Sequence, residues 1–414
     1  MKKNGALNQW LWKWHFIAGL VSLPFVLTLS ITGLIYLFKD NYEAPREKHI
    51  REVQVADNPA SYQEQLKIVR EWIKKDPNAM VLPASKNHAT EFVSGKFEHK
   101  SSYFIDPYKG EATGAIIAHE TDMYAVRKLH GELLLGKAGT LMVELAGSWM
   151  VVLILTGLYV WWPASGWKLP GFFLPRMNLG RRIFFRDMHA VTGFWLSVLL
   201  LMTLSGGLPW TDVFGNNFKW LQKVTNTGYP ATWENQAVRS DSSGEPVTLD
   251  QIVSIARRLN LPGQVEIEFP KDAGGVFSVS NTFYADLSKQ QKIHFDQYSG
   301  KELVRHDWTD VGILMRGRMW FMAFHQGQFG NWNWWLMAIL ASSLVLMSTS
   351  AIFSYLLRRQ KGWDVPKVPA SFSAGYIIVV MLIVLALVFP MFGISVVLIF
   401  IIETLRKYLQ DVRV

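Results

Sequence analysis

Arg186-Asp187-Met188-His189-Ala190-Val191-Thr192-Gly193 heads an apolar run that reaches Trp210. It places a histidine at the mouth of a helix long enough to enter a bilayer. Near the N-terminus, Trp14-His15-Phe16-Ile17-Ala18-Gly19 opens a second such run, to Phe38. The two overlay without a gap: His15 on His189, Gly19 on Gly193, Gly33 on Gly207, Leu34 on Leu208 and Tyr36 on Trp210. A chain that repeats a histidine at one point of two membrane helices is expected to use both.

Half of the 414 residues are hydrophobic, with 18 Trp and 25 Phe, more than a soluble domain needs. They collect in runs that can cross a hydrocarbon core, which takes about 20 residues of helix. Residues 14–38, 139–162, 190–210 and 333–357 qualify, as does 374–402, which Pro390 interrupts. The fold class expected is therefore a mainly α integral membrane protein. The last segment reads as a fifth span, or as a kinked or re-entrant pair around Phe389-Pro390-Met391. The first run is too long for the apolar region of a cleaved signal peptide and lacks a cleavage site before Lys39, so it is expected to stay as an anchor.

A formal charge of +9 does not point to nucleic acid here, because the cations collect in particular loops. Lys2, Lys3 and Lys13 precede the first span. Lys168, Arg176, Arg181, Arg182 and Arg186 lie between the second and third, and Arg358, Arg359, Lys361 and Lys367 follow the fourth. The positive-inside rule puts all three groups on the cytoplasmic side. Tail and first span (1–38), outer segment (39–138), second span (139–162) and cytoplasmic loop (163–188) are then followed by the same series: 189–210, 211–332, 333–357 and 358–373. Residues 374–414 close the chain. With five spans the tail would end outside, against which Arg406, Lys407 and Arg413 count.

This order is an internal repeat of about half the chain. Helical spacing of apolar residues marks 61–75 and 249–261, and strand-like stretches follow at 91–93, 102–105, 265–269, 276–280 and 292–295. Each set ends in a similar turn, Asp106-Pro107-Tyr108-Lys109-Gly110 and Asp296-Gln297-Tyr298-Ser299-Gly300. Asp bonds nearby backbone N–H groups in such turns and Gly supplies positive φ. Each half is thus expected to carry a small α+β domain outside the membrane, flanked by two transmembrane helices.

After each outer segment the chain returns to the membrane through a histidine, at Leu129-His130-Gly131 and Phe324-His325-Gln326. By this topology His15 and His189 share the cytoplasmic side, and His130 and His325 the outer side. Each pair draws one member from each half, the arrangement that axial ligation of haem iron from two sides requires. With no cysteine, disulfides, iron–sulfur clusters and covalent c-type haem attachment are excluded. Zinc or non-haem iron would need carboxylates beside the histidines; Glu132 and Glu144 are the only acids near the second span, and the first and third spans contain none. His49, His88, His99, His119, His294 and His306 lack partners at ligand spacing. The Trp residues near the span ends suit any membrane interface.

Gly19 is one turn from His15. Gly33 is 18 residues on, five whole turns and roughly 27 Å along the same face. Gly193 and Gly207 stand likewise to His189. Such glycines let a flat group approach the backbone, although glycine in membrane helices also serves helix–helix packing. Haem propionates meet Arg or Lys. Arg182 and Arg186 are placed for an inner haem, and Arg127, Arg316 and Arg318 for an outer haem or an anionic substrate.

Taken together, Trp14-His15 with Thr32-Gly33-Leu34, His130-Gly131 with Thr156-Gly157-Leu158-Tyr159-Val160-Trp161-Trp162-Pro163, Arg186-Asp187-Met188-His189 with Gly206-Gly207-Leu208, and His325 with Gly327 and Gly330 resemble the PepSY-associated transmembrane helix family. The segments bearing Asp106…Gly110 and Asp296…Gly300 resemble PepSY domains. The resemblance implies a multi-pass bacterial inner-membrane protein with periplasmic PepSY-like domains. Members include haem-containing reductases of ferric siderophores. It also implies that His15, His189, His130 and His325 ligate two haem b groups. Ser348-Thr349-Ser350-Ala351 departs from the family's Thr-Gly-Leu-like turn. The chain has no room for a fused flavin or nicotinamide reductase domain, so the electron donor would be a separate cytoplasmic flavin or nicotinamide reductase, or a membrane quinol.

Three functions follow as expectations. The first is a di-haem conduit that reduces a ferric siderophore or other ferric chelate at the outer face. The second is a haem-free permease subunit for an iron complex, motivated by the repeat. The third is an accessory protein whose outer domains bind a peptidase or cell-wall partner.

Overall fold

The computed structural model describes residues 5–411 except 97–98, 163–168, 242, 361–362, 364 and 370–371. Lys2, Lys3, Pro163, Lys168, Lys361 and Arg413, named above, lie outside the described residues. Four helices are long and apolar enough to cross a membrane: α1 (Gly5–Leu37), α5 (Gly136–Trp161), α6 (Arg181–Gly207, with a short extension to Trp210) and α10 (Asn331–Arg358). Their large apolar side chains face outward as often as inward, Val21, Leu155, Val198 and Ile339 among the exposed ones. Only a lipid surround satisfies such a surface. The protein is a membrane protein with a separate antiparallel sheet domain at one end of the helices.

The helices pack through their small residues. α6 lies against α10 and against the shorter α9 (Ile313–His325); α1 lies against α10, α5 and α4 (Asp122–Glu132). A Cβ at Gly206 would stand 2.3 Å from the Phe321 carbonyl oxygen, so α6 and α9 touch backbone to backbone there. Ile154, Leu200, Phe324, Met337 and Leu340 form the buried centre.

The sheet domain has eight strands: β1 (Ala79–Val81), β2 (Thr90–Ser94), β3 (Ser101–Asp106), β4 (Glu111–Ile117), β5 (Gln264–Glu268), β6 (Val276–Thr282), β7 (Gln291–Asp296) and β8 (Glu302–Asp307). Their order is β4-β3-β2-β1-β5-β6-β7-β8, antiparallel throughout. The strands before and after the middle of the chain are thus one sheet, joined at β1 and β5 by Ala79↔Glu268, Met80↔Ile267 and Val81↔Glu266. A row of fully buried side chains crosses this seam: Phe92, Met80, Ile267, Val279 and Ile293 are cross-strand neighbours in that order. Cross-strand apolar pairs are the unit of sheet stability, and here they run through the junction without a break.

The apolar sides of α3 (Tyr62–Ile73) and α8 (Leu249–Arg258) cover that row, with Leu66 and Val69 from one and Ile252 and Val253 from the other. Each helix begins with a capping box, Ser61 with Glu64 and Thr248 with Gln251. The helices also cap one another. The Asp250 carboxylate accepts from the Tyr62 and Gln63 backbone N–H groups at 2.8 and 3.1 Å, and Gln63 Oε1 accepts from Leu249 N at 3.0 Å. The two Asp turns match: Asp106 Oδ1 accepts from Tyr108 N and Lys109 N, and Asp296 Oδ1 from Tyr298 N and Ser299 N, with φ +66° at both Gly110 and Gly300.

Of these strands, β1, β4 and β8 give no clear sequence signal. β1 has three residues, β4 carries Gly114 mid-strand, and β8 contains Arg305, His306 and Asp307. α2 (Lys39–Arg51) leads from α1 into the sheet domain.

The C-terminal hydrophobic stretch is not one span. α11 (Tyr376–Val388) and α12 (Pro390–Asp411) double back at Phe389-Pro390, where a Cβ on Gly393 would lie 2.9 Å from the Ala386 Cβ. Pro390 takes the first position of α12, where a missing N–H costs nothing. At 13 residues α11 measures about 20 Å, short of the roughly 30 Å hydrocarbon core. The hairpin is held at its tip. Phe389 stacks on Phe214, Phe392 meets Trp149, and Trp149 Nε1 donates to Ser395 Oγ at 3.1 Å. Phe214 belongs to α7 (Val213–Val224), whose N-terminus is capped by the fully buried Glu144 through Val213 N and Phe214 N, both at 2.8 Å. Glu144 is therefore occupied as a helix cap.

Candidate functional site

Four histidines of the membrane bundle stand in two pairs, His15 and His189 two to three turns inside their helices and His130 and His325 in the last turns of theirs. His15 (α1) and His189 (α6) have ring centres 6.2 Å apart, with the planes inclined by 76°. His130 (α4) and His325 (α9) have ring centres 6.1 Å apart, inclined by 65°. The second pair lies at the sheet-bearing end, the first at the far end. His130 sits against Gly33, so the spacing of the pairs along α1 is about 27 Å, five turns.

Every one of the four rings is tethered through Nδ1. His15 Nδ1 meets Thr156 Oγ1 at 3.0 Å, and His130 Nδ1 meets Thr32 Oγ1 at 3.1 Å. His189 Nδ1 bonds the Met347 carbonyl at 3.1 Å and His325 Nδ1 the Thr203 carbonyl at 2.9 Å. The two Thr hydroxyls already donate to backbone carbonyls, Thr156 to Val152 at 2.7 Å and Thr32 to Thr28 at 2.6 Å. They are left to accept, so Nδ1 carries the proton at all four rings and Nε2 keeps its lone pair. A tethered Nδ1–H is how a protein fixes the tautomer and orientation of a metal-binding histidine.

The spacing suits one metal ion per pair. Two imidazole nitrogens each about 2 Å from a shared ion, with the ring centre about 1 Å behind, put the ring centres roughly 6 Å apart. Distance alone does not decide it. His294 on β7 and His306 on β8 also have ring centres 6.1 Å apart. Yet His294 spends both nitrogens, Nδ1 with Ser278 Oγ at 2.7 Å and Nε2 donating to the Thr232 carbonyl at 2.9 Å, and so has no lone pair to give. Among the described residues no three His, Asp or Glu side chains gather as a metal site. A donor set of two neutral imidazoles matches haem, whose macrocycle supplies the other four ligands, and does not match structural zinc.

The glycines make room for the rings. A Cβ at Gly33 would stand 3.2 Å from His130 Cε1, at Gly207 3.6 Å from His325 Cε1, and at Gly157 3.0 Å from His15 Cε1. Gly193 faces the Met347 sulfur at 3.2 Å and Gly19 the Leu153 side chain at 3.9 Å. So Gly33 and Gly207 leave space for an imidazole ring, while Gly19 and Gly193 face side chains of the neighbouring helices α5 and α10.

The arginines separate. Arg186 is bound to the fully buried Asp187, which Arg176 also grips in bidentate fashion at 2.7 and 3.0 Å. Arg186 is thus committed within the chain, three residues before His189. Arg182 is exposed, and Arg127 is exposed above the Tyr124 ring. Arg316 is half-buried, and its Nε has no partner. Arg318 is buried over the Trp210 ring, 4.2 Å from its centre, again with an unpartnered Nε.

Thr32, Thr156 and Gly157 belong to this site, although the sequence marked them only as parts of motifs and gave them no role. The signal was the Thr-Gly-Leu triplet at 32–34 and 156–158. The hydroxyl tethers the ring of one helix while the glycine beside it leaves that ring space. In α6 and α10 the tether is a bare carbonyl. Gly206 stands where the α1 overlay has Thr32, and Ser350 turns its hydroxyl onto the same Met347 carbonyl that His189 uses. Asn333, fully buried, fixes the turn after His325 by donating to the Phe324 carbonyl and accepting from Phe329 N.

A comparison with curated proteins finds no match. The family model for the PepSY-associated TM region matches residues 12–358, a stretch that holds all four tethered histidines. The chain belongs to the PepSY-associated TM region family.

Proposed function

We propose that the protein is a haem-b-containing transmembrane electron-transfer protein, an oxidoreductase that reduces a ferric chelate such as a ferric siderophore at its sheet-bearing face. The observation that carries this reading is the pairing of four Nδ1-tethered histidines, whose Nε2 atoms keep their lone pairs, one pair toward each end of α1 and α6. His15 with His189, and His130 with His325, would each hold one haem iron. Haem iron so held takes and releases one electron without leaving a site for oxygen. The chain's own part is to fix the imidazoles, keep their tautomers and surround them with apolar side chains.

In this reading the chain is a duplicated unit of two transmembrane helices flanking a PepSY-like α+β domain. The basic loops set its N-terminus in the cytoplasm of a bacterium and its sheet domain in the periplasm. His15 with His189 would hold the group that accepts one electron per turnover from a separate flavin or nicotinamide reductase or a quinol. His130 with His325 would hold the group from which that electron reduces one ferric ion to ferrous. Reduction weakens oxygen chelation and frees the iron. A permease reading would want broken helices at the centre of the bundle. Among the described residues the break between apolar helices lies at Pro390 and packs against α5 and α7, which favours the electron-transfer reading.

The visible spectrum of purified protein tests this. A Soret shift and a sharp α-band on adding dithionite are expected, and His189→Ala should remove about half of the bound haem. A colourless, fully folded preparation would overturn the proposal.

A further inference from the structure

Arg318 is a cation that the fold buries without a counter-ion. It is 7 % exposed, and its side chain makes no hydrogen bond or ion pair with any described residue. Its neighbours are the Trp210 ring, 4.2 Å from the guanidinium carbon, and Tyr229, whose hydroxyl is turned onto the Met319 sulfur. A buried, unpaired charge is among the costlier things a protein can hold, and such groups are normally paired. The nearby acids are spent: Glu144 caps α7, Glu234 lies 3.6 Å from Lys96, and Asp212 lies 3.5 Å from Lys137.

Its position says what the missing partner belongs to. Arg318 lies seven residues before His325 on α9, so the two share a helix face, about 10 Å apart along the axis. α6 runs antiparallel to α9 here, with Gly206 against His325 and Trp210 against Arg318. Arg318 therefore stands beyond the histidine pair, toward the sheet domain. Arg316, two residues earlier, also has an unpartnered Nε, but that spacing turns it to the opposite face of α9, so it does not join Arg318. Seven residues before His130 the chain has Met123, also buried, so the cation is present on one side of the pair alone.

We infer that Arg318 seats a carboxylate beside the His130–His325 pair, its planar guanidinium held flat by Trp210 so that two parallel N–H groups face one anion. This rests on the electron-transfer reading, in which two sources offer that chemistry: a haem propionate, or a carboxylate of the iron chelate. Guanidinium is the group that meets a carboxylate in bidentate fashion, and stacking on an aromatic ring pre-orients it.

The test uses the full chain in detergent, stripped of haem and titrated with haem b and with its dimethyl ester, alongside Arg318→Gln and Arg318→Lys. If the carboxylate is a propionate, the wild type binds the ester at one site about tenfold more weakly than haem b, and Arg318→Gln erases that preference. If it belongs to the chelate, Arg318→Gln leaves haem titration unchanged but raises KM for ferric citrate about tenfold and spares a neutral ferric hydroxamate. Arg318→Lys, which keeps the charge and the fold, should fall between wild type and Gln in whichever assay responds. Unchanged haem–ester preference together with an unchanged citrate KM in both variants would overturn the assignment. A wild-type chain that takes up no haem would instead sink the electron-transfer reading. Arg318 is then judged by calorimetric titration with citrate, where equal heats in wild type and Arg318→Gln count against it.

Discussion

The Thr32 hydroxyl stands 3.1 Å from His130 Nδ1 while giving its own proton to the Thr28 carbonyl at 2.6 Å. A residue of α1 thereby sets the tautomer of a histidine 98 positions away on α4. Thr156 does the same for His15 across 141 positions, through its bond to Val152. Since Nδ1–H is the donor in each case, Nε2 is the nitrogen left with a lone pair.

Thr32→Val keeps the shape of the side chain and removes the acceptor. If the proposed haems bind, affinity at one of the two sites should fall roughly tenfold or more, the usual cost of losing an outer hydrogen bond to a ligating histidine. Thr156→Val should act on the other site. Haem titration of the stripped chain reads both. Equal occupancy of both sites in each variant would remove the tethers from the mechanism.

Gly206→Ala and Gly317→Ala should move stability in opposite directions. The first puts a Cβ 2.3 Å from the Phe321 carbonyl oxygen and 2.7 Å from His325 Cβ. Backbone cannot yield there, so α6 and α9 must separate, at a cost of at least about 1–3 kcal/mol. A Cβ at Gly317 meets nothing within 4 Å, and the gain in helix propensity inside α9 is about 0.5–1 kcal/mol. Thermal unfolding in detergent should show Gly206→Ala lowering Tm and Gly317→Ala raising it slightly. A Gly206→Ala protein as stable as wild type would mean that the helices do not pack this closely.

Asp250→Ala should loosen the junction of the sheet domain. Two backbone N–H groups at the start of α3 lose their acceptor, which costs about 1 kcal/mol for a helix cap. Hydrogen exchange at the Tyr62 and Gln63 amides should quicken while the strands stay protected. Asp250→Asn, which retains an acceptor oxygen, should exchange much as wild type does.

His294 gives the sheet domain an acid-sensitive point. Burial, with the Lys292 charge second, holds its pKa down at about 4, against 6.5 for an exposed imidazole. The folded state thus favours the neutral ring, and the unfolded chain takes the proton first. Stability from this residue is complete above pH 6.5 and drains away as the pH falls toward 4. His294→Gln should lose stability at neutral pH but show a flatter slope between pH 6.5 and 4 in urea unfolding. An unchanged slope would remove His294 from the acid response.

The helices that cross the membrane were legible because hydrophobic runs of that length have one outcome in lipid. The Asp106 and Asp296 turns were legible for a comparably local reason, since Asp and Gly act on backbone groups a few residues away. β1 was not legible. Three residues hold no periodicity, and Ala79–Val81 is a strand because β2 and β5 flank it on both sides. The same limit applied at 374–402. Its composition allowed either one span or a pair, and the packing of Phe389 and Phe392 on α7 and α5 made it a hairpin.

The histidines divide in the same way. The overlay of residues 15–36 on 189–210 was enough to single out His15 and His189, and the re-entry points to single out His130 and His325, because position along a membrane helix is a matter of counting. Sequence also set the five-turn separation of Gly33 from His15. Which nitrogen of each ring is tied down, that Arg186 is already spent on Asp187, and that Arg318 meets no anion among the described residues were decided by the tertiary structure. Those facts depend on atoms brought within about 3 Å by helices that are far apart in the chain, and no local pattern of residues records such an approach.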